Sequence, residues 1–186
     1  MKKVKKIILF LFLLFCISLL FRGWIYRNLI TYKSLGLKKN YDVVDENLVF
    51  YIDDHCNKLS NLDIKKIIKL SHLLTCKKLH FTAYKNETDP NQLFYTNSAH
   101  CVGYATFFSA TCNYLLDKYD LSTKWSAQPH GGQLHFLGRN IHKYINTPFL
   151  KDHDFVIIEN KETKDIIAVD PTLRDHLYID FISYSK

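Results

Sequence analysis

Cys101-Val102-Gly103-Tyr104-Ala105-Thr106-Phe107-Phe108 decides how this chain is read, with two later stretches: His153-Asp154-Phe155-Val156-Ile157-Ile158-Glu159 and Ile167-Ala168-Val169-Asp170-Pro171-Thr172. The first opens a helix over residues 102–119, in which Ala105, Phe108, Cys112, Leu115, Leu116 and Tyr119 form one wide apolar stripe. Such a helix belongs at the centre of a domain. The other two stretches flank the polar turn Asn160-Lys161-Glu162-Thr163 and are apolar on both faces, which predicts an antiparallel hairpin buried on both sides. A thiol at a helix start, then a histidine and an aspartate on successive strands, is the ordered set of a Cys-His-Asp nucleophilic site.

The chemistry needs these residue types in this arrangement. Unpaired N–H groups and the macrodipole at a helix start favour a thiolate at Cys101, and the thiolate is the nucleophile. The backbone N–H of Cys101 can supply half of an oxyanion hole, and Gly103 leaves room for a close approach. If Glu159 pairs with Lys164 across the turn, Ile157 faces Ile166, Phe155 faces Ala168 and His153 faces Asp170. Directly opposed residues share a face with Cβ atoms about 5 Å apart. Asp170 would then orient the imidazole and leave its other nitrogen for Cys101. A slip of one residue would put His153 and Asp170 on opposite faces.

Cys-x-Gly-Tyr-Ala at the helix start, His-x-Phe-Val and Val-Asp-Pro-Thr resemble the three core motifs of the transglutaminase-like superfamily, over about residues 95–173. The resemblance implies a papain-like α+β architecture, with a central helix carrying the thiol packed on an antiparallel sheet that carries the histidine and aspartate. It also implies acyl transfer at amide bonds, by hydrolysis or by transfer to an amine, with Cys101, His153 and Asp170 at the triad positions. Phe155 departs from the pattern, standing where tryptophan is frequent. The oxyanion partner is not evident; Tyr95, Asn97 and Gln128 are the candidates, and His100 is a candidate for lining the cleft. The expected protein is a membrane-anchored thiol enzyme (a cysteine peptidase, amidase or transglutaminase-like acyltransferase) acting on a peptide, a protein or a cell-wall peptide. The alternative is a catalytically silent module of the same class that holds a peptide or protein partner at the membrane surface.

The net charge of +7 does not point to nucleic acid, because it is concentrated at one end. Lys2, Lys3, Lys5, Lys6, Arg22 and Arg27 precede any acidic residue, and the remaining 19 basic residues face 18 acidic ones. The lysines precede an apolar run from Ile7 to Phe21, short against the roughly 20 residues that span a bilayer core, which Gly23-Trp24-Ile25-Tyr26 extends if Arg22 snorkels. No small-x-small cleavage site follows. Residues 1–27 therefore read as a signal anchor, with a cleaved signal or a core helix as alternatives. The lysines favour an inside N-terminus and an extracytoplasmic domain. Residues 28–42 read as a connector and 43–186 as the transglutaminase-like domain.

Elsewhere, Ser60 with Asp63 resembles a capping box for a helix over 61–77. Asn86 to Asn97 reads as a polar loop turning at Asp89-Pro90, and Asn86-Glu87-Thr88 fits a glycosylation acceptor. Lys124 to Ala127 and Gln133 to Leu137 read as separate strands around a turn at Pro129-His130-Gly131-Gly132. Cys101 and Cys112 lie about 16 Å apart along one helix and cannot pair, while Cys56 and Cys76 could pair with each other, the alternative being that Cys112 and Cys76 are small buried hydrophobes. His130, His135 and His142 lack the spacing of metal ligands, so neither metal nor cofactor is expected.

Overall fold

A computed structural model describes residues 2–56, 59, 62–84, 87–145, 147 and 151–185. Its elements run α1 (Lys2–Leu20), α2 (Arg22–Leu29), β1 (Ile30–Leu37), α3 (Glu46–Cys56), α4 (Ile64–Lys78), β2 (His80–Phe81), α5 (Pro90–Thr96), β3 (Ser98–Ala99), α6 (Cys101–Lys118), β4 (Trp125–Phe136), β5 (Arg139–Asn140), a 3-10 turn at Ile141–Tyr144, β6 (His153–Asn160), β7 (Ile166–Val169), α7 (Pro171–Leu177) and β8 (Ser183–Ser185). The architecture is α+β with a largely antiparallel sheet. The main sheet has the order β7-β6-β4-β1-β8, with only β1–β8 parallel, and β5 adds to β4. A short parallel pair, β2–β3, stands apart.

The two-residue period of β6 builds a core on each side of the sheet. Val156 and Ile158 pack with Phe107, Phe108, Cys112 and Leu115 of α6 and with Ile67, Ile68 and Leu74 of α4. Phe155 and Ile157 point the other way, to Tyr32, Ala168 and Ile182. The α6 stripe is thus buried as its periodicity predicts.

The hairpin forms two residues out of the expected register. Ile157 opposes Ala168 and Glu159 opposes Ile166. The cause is the turn. Asn160 N–H donates to the Asp165 carbonyl, while the Asn160 side-chain oxygen accepts from Glu162 and Thr163 N–H, so Asn160 and Asp165 close the loop. Lys164 adopts φ +63° inside it and still reaches Glu159 at 3.4 Å, so that ion pair forms without setting the register. A shift of two, unlike a shift of one, keeps every side chain on its expected face.

Four other expectations are corrected. Residues 28–42 are not merely a connector: Ile30–Leu37 is β1, inserted between β4 and β8. Pro129-His130-Gly131-Gly132 is not a turn but lies within the unbroken strand β4. The Pro129 carbonyl accepts from Lys38 N–H, so its missing donor points to the side where β1 is ending and no ladder bond is lost. Asp89-Pro90 starts a helix: the Asp89 carboxylate accepts Asn91 N–H and Pro90 occupies the first helical position. Similarly Asp63, not Ser60, caps α4, accepting Lys66 N–H, so the helix begins at Ile64. Ser60 and Asn86 lie outside the described residues. Cys56 and Cys76 are both free thiols.

The N-terminal segment is not one continuous helix. It breaks at Phe21, and α1 and α2 meet at 74°. Among the described residues no single helix is long and apolar enough to cross a membrane, although the bent pair meets the requirement jointly by length and composition. Ile7, Leu9, Phe10, Phe12 and Leu13 of α1 are all exposed. In contrast, α2 is tied to the domain: Arg22 Nε donates to the Leu177 carbonyl at 2.7 Å and Arg22 Nη2 to Tyr178 at 3.2 Å. The boundary expected at residue 27 falls inside α2.

Candidate active site

Cys101 is the first residue of α6, and His100 caps that helix by accepting Val102 N–H on Nδ1 at 3.2 Å. Burial pushes the His100 pKa down, which suits a nitrogen that must stay unprotonated to accept. His100 is therefore a structural cap beside the site. Gly103 serves packing: a Cβ there would stand 2.7 Å from Ala99 Cβ and 3.1 Å from Leu93 Cδ1. Its missing side chain lets the start of α6 settle against β3 and α5, which positions the thiol.

His153 opens β6, and Asp170 follows β7 as the cap of α7. Extending the hairpin register would oppose His153 to Thr172, so His153 and Asp170 are diagonal neighbours on one face. Diagonal Cα positions are about 7–8 Å apart, within reach of these side chains. His153 Nε2 lies 2.7 Å from Asp170 Oδ2. The other ring nitrogen, Nδ1, is not used by Asp170, and Cys101 lies close enough to His153 to help raise its pKa. The structure thus brings Cys101, His153 and Asp170 together.

Electrostatics favour a charged His153–Asp170 pair. Burial alone would push the His153 pKa down. The Asp170 charge and hydrogen bond, with a contribution from Cys101, outweigh it and hold the pKa well above 6.5. Burial would likewise raise Asp170, but the His153 charge and hydrogen bonds from His153, Leu173 N–H and Tyr32 keep it below 3.8. Those bonds engage both carboxylate oxygens. Oδ1 takes Leu173 N–H at 3.0 Å, and Oδ2 takes both His153 and the Tyr32 hydroxyl at 2.7 Å. Among the other thiols, burial pushes half-buried Cys76 and fully buried Cys112 up to about 12 and also raises Cys56.

The oxyanion candidates are placed as follows. The Tyr95 hydroxyl donates to Asp45 at 2.8 Å and receives Asn47 Nδ2 at 2.9 Å. Asn97 ends α5 in the left-handed conformation at φ +58°. Gln128 sits on β4 opposite Ile157, whereas His153 is opposite Gly132, four positions along. The Tyr95 hydroxyl is thus engaged with Asp45 and Asn47, away from the Cys101–His153 pair. Of the first-turn N–H groups of α6, that of Val102 is taken by His100, which leaves those of Cys101 and Gly103 as candidate donors beside the thiol.

Sequence reading missed Tyr26 and Tyr32, because their segment was taken for anchor and connector. The signal was present: Ile30, Tyr32 and Ser34 alternate with Thr31 and Lys33 at the two-residue spacing of a strand. Two further features support the site. A Cβ on Gly132, the residue opposite His153, would run into the Phe155 ring, so the glycine gives that ring its room. Asp154 is buried next to His153 and pairs with Lys38 at 3.8 Å; burial nevertheless pushes its pKa up to about 6. A cleft of about 350 Å³ opens beside the histidine, walled by Tyr26, Tyr32, Phe81, Leu134 and Leu173. Among the described residues no group of three or more His, Cys, Asp and Glu is placed to hold a metal ion. Comparison with protein-family models, curated proteins and solved structures finds no match.

Proposed function

We propose that this chain is a thiol enzyme of the transglutaminase-like class, with a papain-like core, that transfers acyl groups at amide or peptide bonds. The observation that carries the reading is the Cys101–His153–Asp170 chain, in which a helix-start thiol meets an imidazole held at 2.7 Å by a buried carboxylate. In the reaction, Cys101 Sγ attacks the carbonyl carbon and its proton resides on His153 Nδ1. The C–S bond forms, and the tetrahedral oxyanion lies against N–H groups at the start of α6. As the C–N bond breaks, His153 gives its proton to the leaving amine. Water, or an amine, then attacks the acyl thioester, His153 takes the proton from that nucleophile, and the Cys101 thiol is restored. Asp170 keeps the ring in the productive tautomer throughout. The substrate class is a peptide, protein or cell-wall peptide. Exposed apolar residues along α1 and the lysines before them support a chain held at a membrane, with the domain on the extracytoplasmic side.

Iodoacetamide labelling of the detergent-solubilised chain at pH 6–7, followed by peptide mapping, tests this reading. Cys101 is expected to label at least about tenfold faster than Cys56, Cys76 and Cys112, and Cys101→Ser to lose both that label and amidase activity. Labelling confined to the other thiols would sink the proposal. Fast labelling of Cys101 with no turnover of any amide would instead favour the silent peptide-binding module.

A further inference from the structure

We infer that Tyr32 is a positioning residue for the site: its hydroxyl, held in turn by Tyr26 of α2, holds the Asp170 carboxylate that orients His153, so α2 is a working part of the site rather than a tether. This rests on the thiol-enzyme reading above. The direction of the hydrogen bonds follows from proton inventory. A carboxylate held ionised can only accept, so the single hydroxyl proton of Tyr32 goes to Asp170 Oδ2, at 2.7 Å. The Tyr26 hydroxyl, 2.8 Å from that of Tyr32, must therefore be the donor between them. The result is a chain with one sense: Tyr26 to Tyr32 to Asp170, met from the other side by His153.

Position and burial support the assignment. Tyr32 is fully buried, on a strand interior to the sheet, with its ring edge-on to Phe155 at 5.3 Å and to His153 at 6.1 Å. Its hydroxyl therefore has a fixed direction. Tyr26 lies on α2, which Arg22 clamps to the far end of α7, the helix that Asp170 begins. Both ends of α7 are thus tied, one to the histidine and one to α2. Burial raises the pKa of both phenols, Tyr26 to about 12, so both remain donors at neutral pH.

The physical role is charge sharing. Oδ2 serves two donors, and Tyr32 takes part of the charge that would otherwise fall on the imidazolium alone. Removing the Tyr32 hydroxyl should tighten the His153–Asp170 pair and make His153 too reluctant a proton donor to the leaving amine. A merely structural tyrosine would change stability and leave the histidine untouched.

The test is NMR titration of the His153 ring in the detergent-solubilised full chain, assigned by its loss in His153→Gln, for wild type, Tyr32→Phe and Tyr26→Phe. Tyr32→Phe should raise the His153 midpoint by about one pH unit, the scale of one hydrogen bond to a charged group. Tyr26→Phe should raise it by less, because it acts through the Tyr32 oxygen. If Tyr32→Phe does not fold, Tyr26→Phe at the less buried end decides alone. A midpoint that stays or falls in both folded variants overturns the inference. Iodoacetamide labelling of Cys101 in the same samples separates the two readings. A wild-type Cys101 that labels no faster than Cys76 refutes the thiol enzyme, whereas labelling with an unmoved His153 midpoint refutes only the role of Tyr32.

Discussion

Two buried groups titrate against each other between pH 6.5 and 4, and removing either one should expose the other. His72 is fully buried, stacks near Phe108 at 4.7 Å and makes a 3.0 Å bond from Nε2 to the Asp180 carbonyl. Burial lowers its pKa from 6.5 to about 4, partly offset by Asp180 and Asp170, while Arg174 adds to the fall. The unfolded chain thus takes up this proton first, and stability present above pH 6.5 is lost as pH falls towards 4. At about 1.4 kcal/mol per pH unit the loss reaches about 3 kcal/mol. Asp154 has the opposite sign. Burial raises it from 3.8 to about 6, against Lys38 and His153 and with Asp152. The folded state protonates first, so about 3 kcal/mol of burial penalty is relieved as pH falls from 6 to 3.8. His153, raised above 6.5, and Asp170, lowered below 3.8, change outside this window. Urea denaturation in detergent at pH 7, 6, 5 and 4 should therefore show a nearly flat wild type. Asp154→Asn should lose about 3 kcal/mol over that range, and His72→Gln, which can keep the bond to Asp180, should gain about as much. Variants whose profiles run parallel to wild type would refute the assignment of these protons.

Asp170→Ala removes a cap and strands the buried Tyr32 hydroxyl and the half-buried His153, so a loss of about 3 kcal/mol in urea denaturation is expected, together with slower Cys101 labelling. A loss under about 1 kcal/mol would contradict the buried network. Truncation should discriminate between α1 and α2. Deleting residues 1–21 should leave a soluble chain with an unchanged His153 titration, whereas deleting residues 1–29 should shift that titration and lower the melting temperature, because Arg22 and Tyr26 go with it.

Local patterning determined a good deal of this protein. The α6 stripe, the two-faced apolar hairpin and the order thiol, histidine, aspartate are all written in residue periodicity, because the 3.6- and 2-residue repeats decide which side chains share a face. Face-sharing survived even though the register did not, since a slip of two preserves parity. The slip itself depended on Asn160 bridging its own loop, a side-chain choice that strand propensity does not report. The β1 strand was hidden because it follows directly on a helix and its partner β4 lies about a hundred residues away, so its alternation has no local counterpart. Likewise Pro129-His130-Gly131-Gly132 carries turn residues, yet Phe155 and Lys38 fill the space its glycines leave and hold it straight. Only tertiary structure could place Tyr32 against Asp170, with Tyr26 behind it, because that contact joins strand β1 to the cap of α7 across 138 residues, and hydrogen bonds over such separations are set by packing rather than by sequence neighbours.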